Sequence, residues 1–183
     1  MYKETNSFYS EEELSGLGLN SYGINVRISR YARIYSPCNI SIGDNVRIDD
    51  FCILSGHITI GSNIHISAYV ALYGSLGIEL EDYTGISQRT TIFSAMDDFS
   101  GNYLIGPIHP MERTNVTGGP VYLRKYSQIG AHSLIFPNIE IGEGSVIGAC
   151  SMVKSDIKPW TINVGIPTKE IKKRSKNLLD LLY

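Results

Sequence analysis

At 183 residues the chain has the length of one domain, and 43% hydrophobic residues are enough for an ordinary core. A net charge of −2 excludes the strongly basic balance of a nucleic-acid binder. Cys38, Cys52 and Cys150 are odd in number and form no CxxC pair, which argues against a disulfide framework and against a cysteine zinc site.

The chain opens on MYKETNSFYSEEELSG, polar and without a hydrophobic signal region. Residues 1–23 read as an N-terminal extension, with helix expected at SEEELSG. No apolar run approaches the ~20 residues that span a bilayer, so a cytoplasmic protein is expected.

From Ile42 the pattern changes. Ile42, Ile48, Leu54, Ile60, Ile66 and Leu72 fall six residues apart, and Val46, Cys52, Ile58, Ile64 and Val70 form a second track of the same period. Residues six apart on a helix lie on different faces, which excludes an amphipathic helix. In extended chain the first and fifth residues of a hexad share a side. Each hexad is then one short strand with two inward side chains, followed by a corner. Such a period marks a solenoid, whose stacked coils bury an aliphatic column that no coil buries alone. Carried back to Ile24 and on to Thr90, the frame gives twelve hexads, but its inward signal fades after Leu76.

The frame breaks over residues 95–120, AMDDFSGNYLIGPIHPMERTNVTGGP. A loop this long in a small domain is usually functional. The repeat resumes at Leu123, Ile129, Ile135, Ile141, Ile147 and Val153, now with small fifth positions at Ser127, Ser133, Ser145 and Ser151. The last thirty residues, Lys154 to Tyr183, carry seven Lys/Arg against three Asp/Glu, on an otherwise acidic body. That balance suits a small anionic ligand such as a phosphate-bearing cofactor, or else a solvated basic helix.

The hexads IGDNVR, IGSNIH, IGEGSV and IGACSM, with the tail SDIKPWTINVGIPTKEIKKR, resemble the hexapeptide-repeat acyltransferases. The likeness is nearest to the maltose and galactoside O-acetyltransferases and to enzymes of surface-polysaccharide synthesis. It implies an all-β solenoid, a left-handed parallel β-helix with three hexads to a coil. On that count residues 24–167 hold about six coils with loop 95–120 extruded. A short C-terminal α-helix is expected over 168–183, where Ile171, Leu178 and Leu182 have helical spacing. The resemblance further implies acetyl-CoA as donor and a homotrimer with the active site between protomers; no metal is expected.

The reaction so implied is acetyl transfer to a sugar hydroxyl, in the synthesis of a surface polysaccharide or lipopolysaccharide. A hydroxyl needs a positioned base. Relatives place a histidine at the start of the loop, where this chain has Asp97 and Asp98. Either carboxylate is a candidate base, or binds sugar hydroxyls, or simply shapes a turn. An amine needs less help, so N-acetylation of a nucleotide-linked amino sugar is the alternative. His65, pointing outward from a strand, is a further catalytic candidate. His109 is a loop residue beside Pro110, His132 sits at a corner, and His57 has no assigned role. For the donor, the family pattern carries Ala131 and Ala149 over as pantetheine contacts. Lys154, Lys169 and Lys172 become contacts to the nucleotide end, and Trp160 a platform for adenine. Two further readings fit less well. A zinc carbonic anhydrase on this fold would need a short pair of histidines that the chain lacks. A non-catalytic solenoid would carry regular outward threonines, whereas Arg47, Asp49 and His65 are mixed.

Overall fold

The computed structural model describes residues 7–182. Three faces of short parallel strands wind around one core. On the first face Tyr22, Ile42, Ile60, Leu80, Leu123 and Ile141 stack in register, and Ile157 bridges to Ile141. The second face stacks Ile28, Ile48, Ile66, Ile86, Ile129 and Ile147. The third stacks Ile34, Leu54, Leu72, Ile92, Ile135 and Val153. Apart from Tyr22, Ile34 and Ile157 near the ends, each of these is at most 3% exposed. Burying one such side chain contributes about 1.5–3 kcal/mol. The result is a parallel β-solenoid of about seven turns, consistent with a left-handed β-helix.

Seven turns exceed the six expected, because the first rung starts at Ser21–Tyr22 and the last closes at Ile157. The hexad frame also slips twice. Two extra residues enter at Ser36–Asn39, in a left-handed residue and a 3₁₀ turn. Two more enter between Gly74 and Ile78, where the register against Gly56–Ile58 shifts. Ile24, Arg30 and Ser36 therefore lie outside, Ile24 being 77% exposed. Beyond the second slip, Leu80, Ile86 and Ile92 are the buried first positions, and Ile78, Thr84 and Thr90 fall into the fifth. The signal that fades after Leu76 is a shifted signal, not a lost one.

Most corners turn through one left-handed residue. Asn25, Asn45 and Asn63 take this role at φ 54–60°, where asparagine is tolerated better than most residues. Their amides join in a ladder, Asn25 Nδ2 donating to Asn45 Oδ1 at 2.7 Å and Asn45 Nδ2 to Asn63 Oδ1 at 2.8 Å. Another edge uses Phe51 and Tyr69, with the Tyr31 ring packed one rung below against Phe51. The Phe51 and Tyr69 rings stack with centroids 4.9 Å apart, which offsets the strain of the corner.

The N-terminal helix forms as expected at Glu11–Ser15, with a capping box between Ser10 and Glu13 and with Leu14 buried. The expected C-terminal α-helix does not form. Lys169–Lys173 is a strand, antiparallel to Thr161–Val164, and a 3₁₀ turn follows at Asn177–Leu181. The last rung presents a row of unpaired backbone groups, and a strand satisfies them where a helix cannot. Ile171, expected on a packed helical face, is 61% exposed. Tyr183 and residues 1–6 lie outside the described residues. No helix among the described residues is long and apolar enough to cross a membrane.

Candidate active site along one edge

The edge between the second and third faces gathers most of the chemistry. Successive rungs bring Asp49, Ser67, Ser87, Gly130 and Gly148 into one column. Each backbone N–H donates to the next rung: Asp49 to Ile66, Ser67 to Ile86, Ser87 to Ile129, Gly130 to Ile147 and Gly148 to Asn163. Rungs are ~4.8 Å apart, so the column is a ruler along the molecule.

Its upper end is smooth. Ala131 and Ala149 stand one rung apart beside Gly130 and Gly148, and Cys150 N–H donates to Ala131 O at 2.8 Å. A Cβ on Gly130 would lie 2.5 Å from Ala149 N, so the rungs close up here as only glycine allows. A strip without large side chains fits a thin amide-bearing arm such as pantetheine. The two alanines expected at donor-binding corners are thus neighbours on one strip.

The lower end is polar. His65 Nε2 lies 2.7 Å from Asp49 Oδ2, and Arg47 Nε donates to Asp49 Oδ1 at 2.6 Å. Burial pushes the Asp49 carboxyl up, but the hydrogen bonds from Arg47 and His65 outweigh it and hold the group below its ordinary value. His65 is on the outer side of the second face, where neighbouring rungs put Arg47 on one side of it and Gly85 on the other.

The aspartates stand elsewhere. At the far edge of the third face the chain leaves the solenoid as an arm, with Ala95–Asp97 antiparallel to Val116–Gly118. At its base a Cβ on Gly118 would lie 2.2 Å from Ser94 O, so a larger residue would force the arm open. Asp98 closes the turn. Its Oδ1 accepts from Ser100 N–H at 2.7 Å and its Oδ2 from the Asn115 amide at 3.0 Å. These bonds, Ser100 first, lower its pKa. Asp97 is half-buried, and its carboxylate has no hydrogen-bond or ion-pair partner among the described residues. The geometry separates the two candidates: Asp98 is committed to the loop, and Asp97 is free to meet a substrate.

The remaining residues divide. Lys169 pairs in register with Val164 at the Ala149 end of the last strand, whereas Lys172 pairs with Ile162 towards the opposite end. Trp160 is at that opposite corner, its ring 6.4 Å from Tyr126 and with Lys176 Nζ 5.0 Å from its centroid. Lys154 is on the far edge of the third face, over the Phe136 ring at 5.3 Å. Of the other histidines, His109 is in the arm, His132 is an exposed corner residue at φ 58°, and His57 is exposed on a strand. Among the described residues no group of three or more His, Cys, Asp or Glu is placed to hold a metal. Sequence reasoning missed Ser87. It follows Ile86, and the slipped frame had set Thr84 rather than Ile86 as the landmark of that rung.

No family model matches the sequence. A curated relative from Escherichia coli, dTDP-4-amino-4,6-dideoxy-D-glucose acyltransferase, is 44% identical over 96% of this chain and 93% of its own length. Among solved structures the chain is similar to AntD, an N-acyltransferase from Bacillus cereus. One AntD structure, of a serine variant in complex with dTDP-4-amino-4,6-dideoxyglucose and coenzyme A, is 55% identical. The match covers 98% of this chain and 96% of that one at a TM-score of 0.95. Another AntD structure holds dTDP and 3-hydroxybutyryl-CoA. A maltose O-acetyltransferase from Clostridium difficile 630 is more distant. It is 25% identical, with 91% of this chain and 75% of that one covered at a TM-score of 0.59.

Proposed function

We propose, starting from the fact that this chain belongs to the hexapeptide-repeat acyltransferases and takes its acyl group from coenzyme A, that its acceptor is the amine of a dTDP-linked amino sugar. The expectation of a sugar hydroxyl gives way to its N-acyl alternative. Long matches to two acyltransferases of amino-sugar nucleotides support this, against a shorter and weaker one to an O-acetyltransferase. The chemistry agrees, since the chain has Asp97 and Asp98 in place of a histidine at the start of the loop, and an amine needs a weaker base than a hydroxyl.

The observation that carries the site is the free Asp97 carboxylate on the arm. AntD structures include variants of one serine and of one aspartate ten positions further on. Ser87 and Asp97 form the only serine–aspartate pair with that separation in this sequence. In one protomer they sit at opposite edges of the third face. Assembly of copies through that face would bring the arm of one to the Ser87 edge of the next. The third face suits such contact. Its outward strand positions are Arg33, Ile53, Ala71, Thr91, Leu134 and Met152, with Tyr35, Ser55, Tyr73 and Phe93 beside them, so that above the first rung the face is mostly apolar. The first face shows Ser41, Thr59, Glu79, Tyr122 and Glu140 instead. A closed ring of three copies completes every site equally.

In this arrangement coenzyme A supplies the thioester and leaves as the thiol. Asp97 holds the sugar amine at the acyl carbon, takes its proton as the C–N bond forms, and gives that proton up to the departing sulfur as the C–S bond breaks. Ser87 offers a hydroxyl at the same rung as the reacting atoms. The smooth Ala131–Ala149 strip holds the pantetheine arm, and Lys169 stands at its upper end. Thiol release from acetyl-CoA with dTDP-4-amino-4,6-dideoxyglucose, compared with simple galactosides and maltosides, tests the reading. Turnover with the amino sugar and none with the glycosides is expected; the reverse would overturn it.

A further inference from the structure

The donor occupies the upper end of the edge, so the acceptor must approach from below. Every cation between Lys3 and Lys125 is an arginine, whereas lysine dominates after Arg124. The distinction matters, because the guanidinium fork matches a phosphate bidentately where an ammonium cannot. Three lower-coil groups line up on the outer side of the second face. Arg27, Arg47 and His65 occupy successive rungs in register. Arg27 is exposed and makes no ion pair among the described residues. Arg47 is held by Asp49 and lies over the Phe8 ring at 5.2 Å. Two carboxylates face them. Asp49 has both oxygens engaged by Arg47 and His65, and Asp50 accepts from the Ser29 hydroxyl. Beside them is an open cavity of about 270 Å³ lined by Ser7, Phe8, Arg47, Asp49, Asp50 and Ala68.

We infer that Arg47 and His65, backed by Arg27, form the diphosphate subsite for the nucleotide of the acceptor. The inference rests on the acceptor reading above and adds where that acceptor's charge is met. The ruler of the edge supports it. Asp49 and Ser87 are two rungs apart, ~10 Å at the usual strand spacing. One sugar ring, with its amine at Ser87, reaches about that far towards its diphosphate. Asp49 acts as a positioning residue, since it orients both the guanidinium and the imidazole.

Calorimetric titration of the full-length protein with deoxythymidine diphosphate, and separately with coenzyme A, tests this. Arg47→Ala should weaken the diphosphate by about tenfold or more, as expected for loss of a charged hydrogen-bonding partner. Arg27→Ala should weaken it less. Arg47→Lys, which keeps the charge but loses the fork, should fall between wild type and Arg47→Ala. All three should bind coenzyme A as wild type does, which also shows that they are folded. If the Arg27→Ala/Arg47→Ala double variant binds the diphosphate as tightly as wild type, the subsite is wrong while the acceptor reading stands. If wild type binds coenzyme A but not the diphosphate, the acceptor reading fails and the subsite with it.

Discussion

The coils below the arm and those above it share one backbone and one aliphatic column, and differ in the rest of the core and along the corners. Inside the lower coils the fifth positions are Val26, Val46 and Ile64 on the second face and Cys52 and Val70 on the third, all buried. From the last coil before the arm upward, the same columns continue as Thr84, Ser127 and Ser145, and as Thr90, Ser133 and Ser151. Outside, along the edge between the second and third faces, Asp49, Ser67 and the stacked Phe51 and Tyr69 rings give way to Gly130, Ala131, Gly148 and Ala149. The lower half is an arginine-bearing body. The upper half is slimmer and presents a bare strip. A solenoid has no cleft of its own, so it divides labour along its axis, and the arm emerges where the two halves meet.

The sharpest test falls on that junction. Asp97→Asn keeps the shape of the arm and removes the proton acceptor. Loss of a general base typically costs ~10²–10⁴-fold in rate, so turnover should fall by about that much with the Michaelis constant for acetyl-CoA nearly unchanged. Asp98→Asn should cost far less, since Asp98 ties the arm through Ser100 and Asn115. A large Michaelis-constant effect at Asp97 with turnover spared would assign it to sugar binding instead. Loss of turnover in His65→Ala, with Asp97→Asn active, would move the base to the lower coils.

The next test loads the comparison from inside. Ile66 is fully buried in the lower half. Ile66→Ala should cost about 2–5 kcal/mol, read by chemical denaturation, because the stacked rungs on either side limit collapse into the cavity. An effect below about 1 kcal/mol would mean that the lower core is looser than its packing suggests.

How much of this was legible in the sequence follows from what each feature depends on. The solenoid was legible because burial repeats locally, with Ile42, Ile48 and Leu54 carrying the period without reference to any distant residue. The two slips were not. Ser36–Asn39 and Ser75–Leu76 add residues at a corner, where no inward side chain marks the count. Helical spacing at Ile171, Leu178 and Leu182 misled because the decisive partner, the open last rung, is only visible once the coils are stacked. In the site, the arm's departure from the repeat exposed Asp97 and Asp98, but choosing between them required the hydrogen bonds on Asp98. Ser87 stayed hidden behind the slipped frame. The grouping of Arg47, Asp49 and His65 depends on pairing between rungs, which no single hexad displays.

A smaller effect is expected from the hydroxyls that distinguish the upper core. Thr84 Oγ1, Ser127 Oγ and Ser145 Oγ are buried without a hydrogen-bond partner among the described residues. An unsatisfied buried hydroxyl costs ~1–3 kcal/mol. Ser145→Ala should therefore stabilise the protein by about 1 kcal/mol, a rise of roughly 2–4 °C in Tm for a domain of this size. A fall in Tm of the same size would show instead that the upper core is hydrated and that its hydroxyls are satisfied by water.

The smallest effect concerns the cations that set the upper half apart. Lys154, Lys169 and Lys172 are exposed and occupy different edges of the solenoid. Exposed charge contacts contribute ~1 kcal/mol or less each and are screened by salt. Replacing all three by Ala should raise the Michaelis constant for acetyl-CoA by about threefold to tenfold at low ionic strength, by less at high salt, and leave turnover intact. Because Lys169 alone stands at the end of the Ala149 strip, Lys169→Ala should account for most of the change. If Lys172→Ala carries it instead, the nucleotide end of the donor runs across the top of the second face towards Trp160. Trp160→Ala should then weaken coenzyme A as well. If the triple variant behaves as wild type at low salt, the donor is held by backbone groups of the strip alone. The excess of lysine in the upper half then has no part in binding.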